Sequence, residues 1–176
     1  VYQNPIDFPM ITICHGNPFV TYESFDYIGR IYKELNIDTI ESTDAIKIDG
    51  YEKIKESANK YFFKGLAIRN AAQLNDSMKR KFGYDEDFFF FLCVFRDQPC
   101  NRSELKWYFD YRYGNCYQFN SGYDSSGQNI PIKKTFRTGK MDGLVLILFA
   151  ALKDDERTLA FDNGAHIFIT NATESP

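Results

Sequence analysis

The sequence has no hydrophobic run of the roughly 18 to 20 residues that a membrane-spanning helix needs; its longest, Phe88 to Phe95 and Leu144 to Leu152, fall well short. It also has no surplus of positive charge. With 21 Lys and Arg against 24 Asp and Glu, the net charge is -3, so nothing marks a nucleic-acid partner or an anionic membrane surface. Histidine is scarce, with 2 in the chain, and none of the 4 cysteines forms a CxxC pair, which argues against a zinc site. A phosphate loop, a nucleophile with its base and a convincing acid-base pair are all missing, so neither enzymatic activity nor a cofactor is expected. Repeats, linkers and low-complexity segments are missing too, and no basic n-region or small-residue cleavage site precedes the first strand. The start at Val1 reads as a cut from a longer chain.

What is present is apolar and aromatic. The 176 residues are 44% hydrophobic and 17% aromatic, with 17 Phe and 12 Tyr. Such a chain is too rich in large apolar groups for disorder, and long enough to bury about two-thirds of its unfolded surface as one domain. The even number of cysteines, Cys14, Cys93, Cys100 and Cys116, suits disulfides in any of three pairings. Three sequons, at Asn75, Asn101 and Asn171, point the same way, toward an oxidising extracellular compartment.

Along the chain, Phe8 to Cys14 is apolar at alternating positions on both faces, the pattern of a strand buried inside a sheet, and Asn17-Pro18 ends it. Phe25, Ile28, Tyr32 and Leu35 recur at helical spacing, as do Tyr51, Ile54, Ala58 and Phe62. A third helix is predicted with Ala67, Ala71, Leu74, Met78 and Phe82 on one face and Gly83 as a left-handed C-terminal residue. Ser103 is placed to cap a short helix through Tyr108. Tyr111 to Phe119 reads as extended, with a strand pair expected on either side of the turn-rich Asn120 to Gln128. Leu144 to Leu152 and Ala165 to Thr170 read as further strands. Strands flanking a helical insertion give an α+β class.

Two blocks of sequence are specific. Phe8-Pro-Met-Ile-Thr-Ile-Cys14 with Asn17-Pro18-Phe19, and Cys93-Val-Phe with Pro99-Cys100 and Tyr113-Gly-Asn-Cys-Tyr-Gln-Phe-Asn-Ser-Gly122, resemble the degenerin, epithelial sodium and acid-sensing channel family. Gly143-Leu144 and Gly164-Ala-His-Ile-Phe-Ile169, with Pro176 after them, follow in the family's order, so the resemblance spans nearly the whole chain. It implies the first half of an extracellular domain: a first palm strand in residues 1–19, a helical finger in 20–110, and palm and β-ball strands in 111–176, with the thumb and both membrane helices outside. It further implies a two-pass subunit of a trimeric, amiloride-sensitive sodium channel in the cell membrane. Its expected partners are other subunits in a homo- or heterotrimer, sodium ions in the pore, and a stimulus such as a peptide or protons. The alternative is a non-conducting extracellular binding module of the same fold.

The resemblance also implies residue roles. The disulfides become Cys14 to Cys116 and Cys93 to Cys100; the strand bearing Ile11 and Ile13 becomes the link between extracellular movement and the pore. Glycans are expected on Asn101 and Asn171 beside turns, and less readily on Asn75, read as lying within a helix. No cysteine lies between Cys14 and Cys93 and Lys79-Arg80-Lys81 does not fit a furin site, which resembles the short-finger branches. Pro18 stands where acid-sensing subunits carry a glutamate, which counts against proton gating.

The remaining candidates read as structural. Cys14 and His15 point to opposite faces of a strand and cannot share a proton, and His166 has no second ligand near it in sequence. Asp85-Glu86-Asp87 and Asp154-Asp155-Glu156 lack calcium-loop spacing and read as solvated charge, with an acidic sensing pocket as the lesser reading. Phe88 to Phe91 is expected in the core, with some rings available to a neighbouring subunit.

Overall fold

The structure, a computed structural model, describes residues 5–34, 51–136, 142–151 and 164–171, and of Tyr32 and residues 51–60 the backbone course alone. Leu35, Leu152, Asp154-Asp155-Glu156, Asn163 and the sequon positions Ala172 and Thr173 lie outside the described residues. So do the expected apolar contacts of Tyr32, Tyr51, Ile54 and Ala58. Among the described residues no helix is long and apolar enough to cross a membrane.

Strands β1 (Ile6–Asp7) and β2 (Met10–His15) lead into helices α1 (Tyr22–Glu34), α2 (Tyr51–Ala71), α3 (Asp76–Arg80) and α4 (Glu86–Phe89). Strands β3 (Phe90–Phe95) and β4 (Gln98–Pro99) follow, then a 3-10 turn at Arg102–Glu104. The chain continues through β5 (Lys106–Asp110), β6 (Gly114–Phe119), β7 (Lys134–Thr135), β8 (Leu144–Leu148) and β9 (Ala165–Thr170). Mixed helix and antiparallel sheet make the α+β class plain.

The main sheet has the order β5-β6-β2-β9, all antiparallel, so the first long strand ends up central, between β6 and β9. A second sheet, β4-β3-β8, faces it, and β1 pairs with β7. Between the two larger sheets lies one apolar core, containing Ile11, Ile13, Phe89, Phe90, Phe95, Leu105, Tyr117 and Phe119. Alternation explains the membership: Ile11 faces Phe119 and Ile13 faces Tyr117 across the ladder, so these four side chains share one face. A second core joins the helices to the strand exit through Phe19, Phe25, Ile28, Ala67, Ile68, Ala71 and Phe82.

Several expectations need correction. The third helix does not form as one piece: Ala67 and Ala71 belong to the end of α2, and α3 starts anew at Asp76. Asn75 causes the break, because its side-chain oxygen accepts from Met78 N at 2.9 Å and caps a fresh helix. On α2 the buried stripe runs through Phe63, Ala67, Ile68 and Ala71, leaving Phe62 exposed. Gly83 is not left-handed; a Cβ there would sit 2.4 Å from Asn115 Nδ2, so close packing is what demands glycine. Asn101, not Ser103, caps the turn at Arg102–Glu104, and Trp107 to Phe109 are in a strand, since bulky aromatics gain cross-strand partners in β6. Tyr111 to Tyr113 form the turn between β5 and β6, so β6 pairs with the strand before it; between Asn120 and Phe136 the described residues add the bridge Tyr123 to Asn129 and the short β7. Of the four phenylalanines 88 to 91, the middle two are buried while Phe88 and Phe91 are 51% and 77% exposed. The helix cap at Asp85 and the bulge between Phe90 and Leu92 set that split.

Candidate functional site

The candidate site is strand β2 and the turn that leaves it. Every residue of Met10–His15 is buried, which follows from its central place with a neighbour on each edge. Ile13 is wholly buried and Ile11 nearly so, both against the aromatic layer from β3 and β6. On the opposite face Cys14 stands directly across from Cys116, Cα atoms 4.2 Å apart, and the two are disulfide-bonded. Cys93 and Cys100 form the second bridge, across the β3-β4 turn.

Beyond Cys14 the chain is held at almost every residue. Asn17 N donates to His15 Nδ1 at 2.9 Å, and the His15 ring lies 5.5 Å from Tyr84 and 5.6 Å from Phe89. Burial pushes the His15 imidazole below its ordinary 6.5, the hydrogen bond with Asn17 opposing and the nearby Lys64 charge adding to the shift. Gly16 N donates to Gly164 O at 2.8 Å, and Asn17 Nδ2 donates to Phe19 O at 2.8 Å. Gly114 has φ +76°, and a Cβ on it would lie 2.3 Å from Pro18 Cβ, so both backbone and packing demand glycine opposite this turn.

Three side chains then sew the helical excursion to the sheet. Asn115 Nδ2 donates to Lys79 O at 3.0 Å while its Oδ1 accepts from Trp107 Nε1 at 2.9 Å. Tyr117 Oη donates to Tyr84 O at 2.8 Å, and Thr21 Oγ1 donates to Lys81 O at 2.6 Å. Arg80, part of the basic run, stacks 4.2 Å over Trp107. Burial raises the Tyr117 phenol above its ordinary 10.0, so it remains a donor well into alkaline conditions. Sequence reading weighs His15 only as a base for Cys14 and names Asn17 and Asn115 only at a strand end or within the resembling blocks; their hydrogen-bonding roles, and Tyr84 altogether, come from the structure.

The remaining candidates fall elsewhere. Asn75 and Asn101 are both exposed caps, not helix-interior residues, and Asn171 is exposed at the end of β9. Asp85 caps α4 by accepting from Phe88 N at 2.8 Å, and Asp87 lies 3.6 Å from Arg102. His166 packs at 4.6 Å against Tyr113, and no group of metal ligands occurs among the described residues.

The profile of the family described as Amiloride-sensitive sodium channel matches residues 1–176. The chain belongs to this family. It is 31% identical over 159 residues to epithelial sodium channel subunit gamma of Neoceratodus forsteri, covering 85% of the chain and 24% of that protein. Acid-sensing ion channel 2 of Homo sapiens is 24% identical over 188 positions, covering 100% of the chain and 35% of that protein. Acid-sensing ion channel 1 of Gallus gallus is 26% identical over 182 positions, covering 97% and 33%. The chain thus spans between a quarter and about a third of the length of these family members.

Proposed function

We propose that the parent protein is a non-enzymatic subunit of a trimeric, amiloride-sensitive sodium channel of the cell membrane, and that this chain is part of its extracellular domain. The observation that carries the reading is the family match along all of residues 1–176. Residues 1–19 would supply the first palm strand, 20–110 the helical finger, and 111–176 the palm and β-ball strands. Its partners would be sister subunits, with sodium in the pore and an extracellular peptide or protons as stimulus.

In this reading β2 is the mechanical link to the pore. What supports it is that β2 is central, buried on both faces and locked at its end by the Cys14 bridge, so it moves with the sheet as a rigid element. Ile13→Ala, or Ile11→Ala, removes about 2 to 5 kcal/mol of packing at a fully buried site, enough to shift a closed-open balance whose states pack β2 differently. Cells expressing the full-length subunit are expected to carry a sodium-dependent, amiloride-sensitive current whose activation shifts in both variants. A trimer that reaches the surface yet passes no current under any stimulus sinks the channel reading; a current indifferent to both substitutions sinks the lever.

A further inference from the structure

Where α2, the β5-β6 turn and the start of β9 meet beside Gly16, they line an open cavity of about 590 Å³, the size of a small-ligand site. Its lining is chemically one-sided. Lys64, Arg112 and His166 meet there with Tyr61, Tyr111 and Tyr113, and none of the described lining residues is acidic. This stands out in a chain whose net charge is -3.

Among the described residues neither strong cation is paired with a carboxylate. Lys64 is partly buried, and among the described residues its Nζ donates to a neutral group, Gly16 O at 3.2 Å, with no ion pair. Desolvation holds its ammonium below the ordinary range. Arg112 is exposed at the turn, and its guanidinium joins no ion pair among the described residues. The carboxylate nearest in sequence, Asp110, is turned to the backbone: its Oδ1 accepts from Arg112 N at 2.7 Å and Tyr113 N at 3.1 Å. That same arrangement fixes the turn that presents Arg112. Tyr113 is fixed as well, its ring 4.6 Å from His166 and 5.1 Å from Phe168.

From these residues we infer that the cavity binds an extracellular ligand presenting a carboxylate next to an aromatic or apolar group, such as a peptide C-terminus or a small aryl acid. The carboxylate meets the Arg112 fork and the Lys64 ammonium, and the ring lies among the tyrosines. Binding such an anion supplies Lys64 with a counter-charge that none of the described residues provides. The inference depends on the channel reading only for the compartment in which the ligand is met.

The test is binding to the purified full-length subunit, read by saturation-transfer NMR with three probes. These are N-acetylphenylalanine, a glycyl-glycyl-phenylalanine peptide with a free C-terminus, and the same peptide amidated. The free acids are expected to bind at least about tenfold more tightly than the amide, the size of a lost charge-assisted hydrogen bond. Arg112→Gln is expected to remove that preference while the amide binds unchanged. Being exposed and unpaired, Arg112 is replaceable without loss of fold, which an unaltered unfolding midpoint checks; Lys64→Gln gives the second, buried arm. Whichever of the two acids binds more tightly identifies the source as small acid or peptide end. Equal binding of acid and amide, no binding of any probe, or acid binding that survives Arg112→Gln in a folded protein overturns the inference. A silent subunit that binds the acid upholds the cavity against the channel reading, and a conducting one blind to every probe does the reverse.

Discussion

At the scale of single residues, buried polar groups rather than apolar ones give the site its definition. His15 is the clearest case, since its ring is 4% exposed and its neutral form is favoured by burial. The unfolded chain takes up a proton near pH 6.5, while the folded chain takes it up only at lower pH. The His15 contribution to stability is therefore whole above pH 6.5 and is lost as pH falls from there toward the depressed folded value. Thermal unfolding of the full-length protein should weaken between pH 7 and pH 5, and His15→Gln should flatten that slope. An equally steep slope in the variant would refute the assignment. Sequence reading reached the neighbouring Cys14, Ile11 and Ile13, because alternation marks them. It could not reach the surroundings of His15, Asn115 or Lys64, which come from positions far along the chain.

At the scale of elements, short caps decided what periodicity could not. The strands around Met10, Gly114, Leu144 and Ala165 were readable because β-branched and aromatic runs leave few alternatives. The helix ends were not, since Asn75 and Asn101 interrupt apolar spacings that otherwise run on. Asn101 carries two roles that use different atoms. Its Oδ1 accepts from Ser103 N at 3.1 Å, whereas a glycan would attach at Nδ2, so cap and glycan are compatible. Ser103→Ala should abolish a glycan yet keep the cap, because the donor is backbone; Asn101→Gln should abolish both and cost about 1 kcal/mol. Mobility after glycosidase treatment and unfolding midpoints of the full-length subunit check this. Identical midpoints for the two variants would show that the cap contributes nothing.

At the scale of the whole molecule, two cores and two bridges hold a sheet around a helical excursion. The Cys14–Cys116 bridge spans a sequence separation of 102, worth about 4 to 5 kcal/mol as restricted unfolded-chain entropy. Cys93–Cys100 spans 7 and contributes about half as much. Replacing the first pair with alanine should therefore lower the unfolding midpoint further than replacing the second, and non-reducing peptide maps should recover both native pairs. A larger loss from the second pair, or a Cys14 to Cys93 peptide as the main species, would contradict the topology. The α+β class was legible in advance because composition and alternation are local properties; the sheet order was not, since it joins Cys14 to residues 116 and 166. That same order governs how the protein is made. Of the strands in the main sheet β2 leaves the ribosome first, yet its second neighbour, β9, appears only around residue 165. At about 5 to 20 residues per second, this leaves β2 without a complete set of strand partners for on the order of ten seconds. Until Cys116 emerges, the Cys14 thiol meets only Cys93 and Cys100 among the chain's cysteines, so any bridge it forms in that window is non-native and has to be exchanged before the sheet is complete.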